Sequence, residues 1–371
     1  MNKYFVAATS LLAGTIIGAG IFSLPFVFSI VGFGIGTAYL VFFGAVYFAV
    51  HFMYAKVLEV NSGEHQFFYL AKKYLPRIVS NVASFSVFLE LIFVLTTYLI
   101  LASVFLNTIV ELPALLALFI FWFLGSFFIF VRLEWVGWAE ILGTLGIVGI
   151  VGFVIYLSAP REFITPLVGD FGWVTAFLPF GPLLFAFSGR PAVSAVLKEY
   201  KKARAVGKSF SVGLVIFLGT AIPAVVYFFF TLGVLKLNPF VTPETLNSLG
   251  ALSNSTQMLL GVFGLIALWT SYFVIGINVR DIMRVDLRRP KIEGAAVVLI
   301  APLLLYALGF QNFLPAVSFI GSVFLALEGI FIVMMWRKAF PKNPLRLLSF
   351  LLYAVFVIAL GYEVAMFFNI I

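Results

Sequence analysis

Glycine and proline interrupt an apolar stretch near the start of this chain, at a place where free backbone groups could bind a solute. Residues 14–25 read GTIIGAGIFSLP, inside an apolar run that extends from about residue 4 to residue 30. The run is long enough to cross a bilayer, but its glycines and Pro25 loosen or end a helix. Lipid offers no partners for freed N–H and C=O groups, so these must meet protein or face a polar cavity. The stretch therefore predicts a broken membrane helix that binds a small charged solute.

A second stretch, residues 178–191, has the same character and reads LPFGPLLFAFSGRP. Its breakers are Pro179, Gly181, Pro182, Gly189 and Pro191. Pro191 removes one donor and disfavours helix in the residue before it, so we expect residues 187–190 to be non-helical. Broken helices at corresponding positions of two halves indicate an inverted repeat with a site at its interface.

A competing interpretation is that Gly14 and Gly18 only form a small-residue face for helix packing. The interrupted stretches fall in the first and sixth predicted spans, five apart and opposite in direction. Two breaks in that relation favour a binding site over packing alone.

The composition requires a membrane protein, with 63% hydrophobic and 10% charged residues and a mean hydropathy of +1.16. The apolar runs are continuous instead of alternating, which excludes an outer-membrane barrel. We predict an all-α fold of eleven transmembrane helices in a single domain, 1–371. Its parts are one repeat at about 4–157, a second at about 173–336 and an extra C-terminal helix at about 345–368.

The charges fix a predicted orientation. Twenty of the 23 Lys and Arg residues fall on the side of the predicted spans that holds the N-terminus, and two fall on the other side. The positive-inside rule then places the N-terminus in the cytoplasm and the C-terminus outside. The +8 net charge belongs to loops that face anionic lipid, so no nucleic-acid partner is implied. The chain has no cysteine, which excludes disulfides and thiolate chemistry, and we predict neither an organic cofactor nor an obligate protein partner.

Three motifs carry a resemblance to a known family. GTIIGAGIFSLP, FAFSGRPAV in the sixth span and TSYFVIGINVRD in the eighth are similar to the amino acid/auxin permease family of the amino acid-polyamine-organocation superfamily. The resemblance implies a LeuT-type fold in a plasma or inner membrane. It also implies secondary transport of amino acids by alternating access, and the aromatic residues expected in the pocket, given below, favour neutral, apolar or aromatic substrates.

The resemblance and the polarity of helix ends together assign substrate roles. Free amides at a half-helix N-terminus stabilise a carboxylate, and free carbonyls at a C-terminus stabilise an ammonium group. The amides expected to bind the carboxylate are those of Gly18, Ala19, Gly20 and Ile21. The carbonyls expected to bind the ammonium group are those of Ile16, Phe185, Ala186 and Ser188. The side chains expected to line the pocket are Tyr98, Phe185, Phe187 and Trp269, although packing alone also explains a tyrosine or phenylalanine in a span.

A sodium site is expected beside the substrate. Thr270 and Ser271, three residues after Ala267, match the pattern by which sodium-coupled transporters of the LeuT fold bind the ion. The remaining predicted ligands are carbonyls of Gly14, Ile17 and Ala267, which are the hard oxygen donors that a hard cation prefers. The hydroxyls could instead bond back to the preceding turn. The fifth span lacks the lysine with which proton-coupled relatives replace sodium, so sodium is favoured over protons.

Arg190 lies beside the second break, where a charge in lipid needs a partner. Glu90 and Glu328 are the candidates, and the sequence leaves the choice open. The pair is either a buried structural bridge, which we favour, or a proton-linked gate.

Two loops are long enough for short helices, and we expect one on the membrane surface within 62–76 and one beginning after Thr242, which precedes a proline.

Other function classes fit less well. An amino acid sensor lacks a cytoplasmic domain that would pass on a signal, and a channel lacks a filter-like repeat. An intramembrane enzyme lacks a metal-binding or Ser/His motif.

Overall fold

The structure, a computed structural model, describes residues 2–61, 67–110, 112–127, 134–169, 172–245, 252–285 and 287–368, with side chains described for all of these except 134–141 and 285. The regular structure in these ranges is helical. The α-helices in chain order are α1 Lys3–Ile16, α2 Leu24–Val31, α3 Phe33–Glu59, α4 Phe67–Tyr74, α5 Arg77–Val110, α6 Ala114–Phe127, α7 Glu134–Ser158, α8 Trp173–Phe177, α9 Phe180–Ala186, α10 Arg190–Ala205, α11 Val212–Leu237, α12 Asn254–Val285, α13 Lys291–Ala307, α14 Phe313–Phe319, α15 Ala326–Ala339 and α16 Leu348–Phe367.

Seven helical segments within the described ranges are long and apolar enough to cross a membrane, and the bent pair made by α1 and α2 is an eighth candidate. Two further apolar helices, α6 and residues 142–158 of α7, are shorter than a full span. The all-helical architecture is as predicted. The count of eleven spans stays a prediction.

The first interrupted segment breaks at its glycines. Helix α1 ends at Ile16, and Ile17 and Gly18 adopt extended backbone conformations. A 3-10 turn over Ala19–Ser23 follows and leads into α2, which has Pro25 in its first turn, where a missing donor costs nothing. The two halves are bent by 43°. The predicted break is confirmed.

The second interrupted segment is broken between α9 and α10, at residues 187–189. We predicted that Arg190 is also non-helical, and this was wrong, because Arg190 is the first residue of α10. Pro191 is then in the first turn of that helix, which accepts a residue without an N–H. Gly181 does not break the chain either and lies within α9. A Cβ atom there would lie 2.6 Å from the carbonyl oxygen of Ser318, so this glycine permits close packing.

The core of the bundle surrounds the two breaks. Helix α1 packs on α10 and α11, α12 packs on α5 and α7, and α9 packs on a π-helical turn at Ile320–Leu325. Gly321 in that turn allows the close approach, because a Cβ atom on it would lie 1.9 Å from the carbonyl oxygen of Gly181.

The two loop predictions have different outcomes. A short helix, α4, is present in the first loop, and it buries Phe67, Phe68, Leu70 and Ala71. In the second loop, residues 242–245 form a turn closed by a bond from Thr245 N–H to the carbonyl of Thr242, not the start of a helix. Thr245 has a φ of 62°, which is outside the helical range. The rest of that predicted helix lies outside the described residues.

Candidate functional site

The two breaks touch each other backbone to backbone. A Cβ atom added to Gly20 would lie 2.6 Å from Cα of Ala186 and 3.0 Å from its Cβ. No side chain fits at that distance, so only glycine permits the 3-10 turn of the first break to lie against the end of α9. The sequence therefore brings the two interrupted segments to one point.

A tyrosine on α11 joins the two breaks. The hydroxyl oxygen of Tyr227 is 2.6 Å from the carbonyl oxygen of Ile16 and 2.7 Å from that of Ala186. The Tyr227 hydroxyl also contacts the Gly18 amide, and the side chain is fully buried. A hydroxyl has one proton, so Tyr227 donates to one carbonyl at a time.

A second tyrosine supports the end of α9 alone. The hydroxyl of Tyr47 on α3 donates to the carbonyl of Leu184 at 2.6 Å, and the Ser188 N–H donates to the carbonyl of Phe185 at 3.2 Å. Sequence reasoning missed both tyrosines. The available signal was a phenol in the middle of an apolar span, because a buried Tyr hydroxyl usually finds a partner.

A cavity of about 370 Å³ opens along both breaks. Its lining includes seven of the residues that we predicted for the substrate, which are Ile16, Gly18, Ala19, Gly20, Tyr98, Phe185 and Ser188. Charged and polar side chains also line it, and Glu90, Arg190, Asn278, Asp281 and Glu328 are among them. Seven predicted substrate residues from three separate helical segments thus line the same cavity.

Four predicted substrate residues do not line this cavity. Ile21 and Ala186 are buried at the contact between the breaks. Phe187 packs behind the second break, between the rings of Tyr47 and Tyr227. Trp269 points to the other side of α12, where its ring meets Phe273 edge to face. The structure places Phe187 in the core because the chain turns away from the cavity at the end of α9.

The amides of the first break are not equivalent. The Ile21 N–H bonds to the carbonyl of Gly18 at 3.3 Å, which is the first bond of the 3-10 turn. The amides of Ala19 and Gly20 come before this bond, and both residues line the cavity. These two N–H groups are therefore the donors that the turn presents to a bound anion.

A second cavity, of about 80 Å³, contains four of the five residues predicted for sodium: Gly14, Ile17, Thr270 and Ser271. The fifth, Ala267, accepts a bond from the Thr270 hydroxyl at 3.0 Å through its carbonyl. Helix α7 closes this cavity at short range. A Cβ atom on Gly143 would lie 2.3 Å from Oγ1 of Thr270, and one on Gly14 would lie 2.8 Å from Oγ1 of Thr144.

The oxygen donors in this small cavity are of the type that sodium takes. Five side chains with hydroxyl groups line it, those of Thr15, Tyr98, Thr144, Thr270 and Ser271, together with residues at the end of α1, where a helix leaves carbonyls without intrahelical partners. Sequence reasoning missed Thr144, which follows Gly143 in α7. The available signal was a hydroxyl next to a glycine within a long apolar run.

Tyr98 lies between the two cavities and lines both. Its hydroxyl lies close to that of Ser271. Tyr98 is therefore a side chain that the two cavities share.

Arg190 takes Glu328 as its partner, which answers the question that the sequence left open. Its Nε lies 2.5 Å from Oε2 of Glu328, and its guanidinium stacks 5.0 Å from the ring centre of Phe67 on α4. Glu90 lies beside this ion pair, close to Glu328. The wall of the main cavity thus contains a buried cluster of one guanidinium and two carboxyl groups.

Comparison with known families identifies the chain. The model of the tryptophan/tyrosine permease family matches residues 1–368. The chain belongs to the tryptophan/tyrosine permease family. The resemblance to the amino acid/auxin permease family stays a prediction, and none of the curated protein sequences matches this permease significantly.

Solved structures similar to this permease are transporters. The inward-facing conformation of Mhp1 has a TM-score of 0.67 at 13% identity and covers 98% of this chain and 89% of its own. The complex of MhsT with L-phenylalanine has a TM-score of 0.64 at 14% identity, covering 99% and 98%. The Eremococcus coleocola manganese transporter has a TM-score of 0.64 at 14% identity, covering 98% and 87%. These likenesses show the LeuT-type fold.

Family and fold together establish the general class of this permease. It is an integral, multi-pass membrane protein and a secondary transporter of amino acids or related substrates. The broken helices, the cavity between them and the smaller cavity beside them are the elements from which such a transporter is built.

Proposed function

We propose that this permease is a sodium-coupled symporter of neutral amino acids with apolar or aromatic side chains, which it moves by alternating access. The observation that carries the proposal is the contact of Gly20 with Ala186, which brings both breaks to one cavity. At about 370 Å³, the cavity falls in the range of small-molecule sites. The family's name, tryptophan/tyrosine permease, supports an aromatic substrate.

The substrate carboxylate binds at the first break. The amides of Ala19 and Gly20, flanked by Gly18 and Ile21, carry the partial positive charge of a helical N-terminus. The ammonium group binds carbonyls at the ends of α1 and α9, those of Ile16, Phe185, Ala186 and Ser188. Tyr227 donates to one of two of these carbonyls at a time, so the other keeps its lone pairs for the ammonium group.

The coupling ion binds in the smaller cavity. Gly14, Ile17 and Ala267 supply carbonyls and Thr270 and Ser271 supply hydroxyls to a sodium ion. Tyr98 lines both cavities, so its position depends on the ion through Ser271 and on the substrate directly. This shared side chain links the binding of one solute to the binding of the other.

The cavity opens towards the side predicted to be cytoplasmic. Leu11, Ala195 and Asp281 line that end, near the termini of helices rich in Lys and Arg. On the opposite side, the Thr245 hydroxyl donates to the carbonyl of Phe22 and ties a loop over the first break. We assign the structure to an inward-facing state, with the N-terminus in the cytoplasm and the C-terminus outside.

Uptake of radiolabelled tryptophan into proteoliposomes tests this function. We expect accumulation driven by an inward sodium gradient. In Thr270→Val the sodium stimulation is lost while exchange of internal for external tryptophan continues. The matched control is Thr220→Val, since Thr220 is also buried and also bonds back to the preceding turn, at 2.9 Å from the carbonyl of Ile216, but lines neither cavity.

Three outcomes would contradict the proposal. If Thr270→Val and Thr220→Val behave alike, the Thr270 hydroxyl only bonds to the preceding turn of its own helix and does not bind sodium. If a proton gradient drives accumulation without sodium, coupling is to protons. Binding without any flux would identify a sensor instead.

A further inference from the structure

The cluster around Arg190 contains more negative than positive charge. Glu90 and Glu328, here called the carboxyl pair, are 7% and 5% exposed and lie close to each other in the wall of the main cavity. Arg190 bonds to Oε2 of Glu328. Oε2 of Glu90 is buried and has no hydrogen-bond partner among the described residues, although Glu90 is part of the cavity wall. One guanidinium therefore faces two acidic groups.

Arg190 is the described cation that bonds to the carboxyl pair, while Lys198 lines a neighbouring cavity together with Arg190 and Asp281. Helix α3 presents Tyr47, His51 and Tyr54 to the cluster. Neither ring nitrogen of His51 has a hydrogen-bond partner in the described part of the chain, so no acid stabilises its charged form there. From α12 comes Asp281, which is negative and bonds to Arg280 at 3.1 Å.

We propose that the carboxyl pair is a proton-binding site that exchanges one proton with the solution through the main cavity. Two carboxylates that lie close together in a buried site cannot both ionise at low cost, and a single guanidinium balances only one of them. With that proton, the pair and Arg190 sum to zero charge. Without it, a net negative charge remains buried between α5, α10 and α15.

The position of the carboxyl pair gives the proton a path to water and links its release to the charge that holds α10. Glu90 meets the cavity, so its proton reaches water without crossing the packed core. Glu328 is bound to the first residue of α10, which directly follows the second break. Loss of the proton therefore changes the charge that anchors α10. This site is separate from the proposed sodium site, which Thr270 and Ser271 line on the far side of Tyr98.

Infrared spectroscopy of the purified protein tests proton binding without any need for transport. A protonated buried carboxyl group has a C=O stretching band at about pH 7, where exposed carboxyl groups are ionised. We expect Glu90→Gln to remove one such band. Asp281→Asn is the matched control, since Asp281 lies in the same cavity wall but has Arg280 as a partner, and it leaves the band unchanged. A band that survives in Glu90→Gln overturns the proposal.

Tryptophan exchange at different internal pH values tests the consequence, which rests on the proposed transport function. In the wild type we expect the rate to fall by up to about tenfold per pH unit once the pair has lost its proton. In Glu90→Gln, which is permanently neutral, the exchange that remains has a flat pH profile relative to its own maximum, whereas Asp281→Asn keeps the wild-type slope. A wild-type slope in Glu90→Gln contradicts the proposal. Absence of exchange in the wild type contradicts the proposed function alone and leaves the infrared result to decide on the proton.

Discussion

The two breaks differ in how the protein compensates for a lost helical turn. The first bends the chain by 43° and is built from small residues, with Gly18 and Gly20 at the cavity. The second bends the chain less, and hydroxyls of Tyr47 and Tyr227 satisfy its carbonyls. It then continues directly into Arg190 and its ion pair.

This difference assigns separate tasks to the two breaks. The first break exposes its backbone groups because Gly18 and Gly20 have no side chains, so a ligand in the cavity can reach these groups. The second is held by side chains from α3, α11 and α15, so it provides the fixed frame. Changes at the glycines of the first break and at the tyrosines that bond to the breaks therefore test this division, and they follow here from the largest expected effect on the protein to the smallest.

The largest effect is expected at the contact between the breaks. In Gly20→Ala the new Cβ atom meets Cα of Ala186 at 2.6 Å, and neither backbone can move without opening the other break. We expect a loss of stability of about 1–3 kcal/mol and loss of tryptophan uptake. Thermal unfolding in detergent measures the first and proteoliposome uptake the second. Gly152→Ala is the control, because a Cβ atom there meets no atom within 4 Å.

An intermediate effect is expected at the tyrosine that serves both breaks. Tyr227→Phe leaves the carbonyls of Ile16 and Ala186 without their donor, and an unsatisfied buried polar group costs about 1–3 kcal/mol. Tyr47→Phe removes a single bond, to Leu184. We expect Tyr227→Phe to raise the KM for tryptophan more than Tyr47→Phe does. Equal effects would show that Tyr227 supports only the second break.

The smallest effect on folding is expected at Gly18. Its φ of −138° suits any residue, and the nearest atom to an added Cβ is the Tyr98 hydroxyl oxygen at 3.8 Å. Gly18→Ala should therefore unfold at the wild-type temperature. The methyl group enters the cavity beside Tyr98, so affinity for tryptophan should fall by roughly tenfold. Equilibrium binding of labelled tryptophan to the purified variant checks this, and a Tm as low as that of Gly20→Ala would contradict it.

The positions of the breaks could be predicted from the sequence because glycine and proline act locally. Residues 14–25 include three glycines and a proline, so this stretch alone predicts the first break, and the structure confirms it. The predicted end of the second break was wrong by one residue, because Arg190 is helical. The reason is also local, since the first turn of a helix accepts Pro191.

Contacts between distant elements could not be predicted in the same way. The choice of Glu328 over Glu90 as the partner of Arg190 depends on how α15 packs against α10. Phe187 was expected in the pocket, but its direction depends on the turn that ends α9. Tyr227 lies on α11 and Thr144 on α7, and neither helix contains a predicted break or one of the three family motifs. Only the packing of the helices shows that these two residues reach the site.

The most direct test of the central claim is tryptophan exchange by Gly18→Leu in proteoliposomes, with Gly152→Leu measured alongside. The claim is that the amides of the first break bind the substrate in the cavity between the two breaks. We predict that Gly18→Leu inserts into the membrane and unfolds cooperatively, since its side chain extends into open cavity, and that it exchanges no tryptophan while Gly152→Leu exchanges it normally. A folded Gly18→Leu that exchanges tryptophan at the wild-type rate would contradict the account.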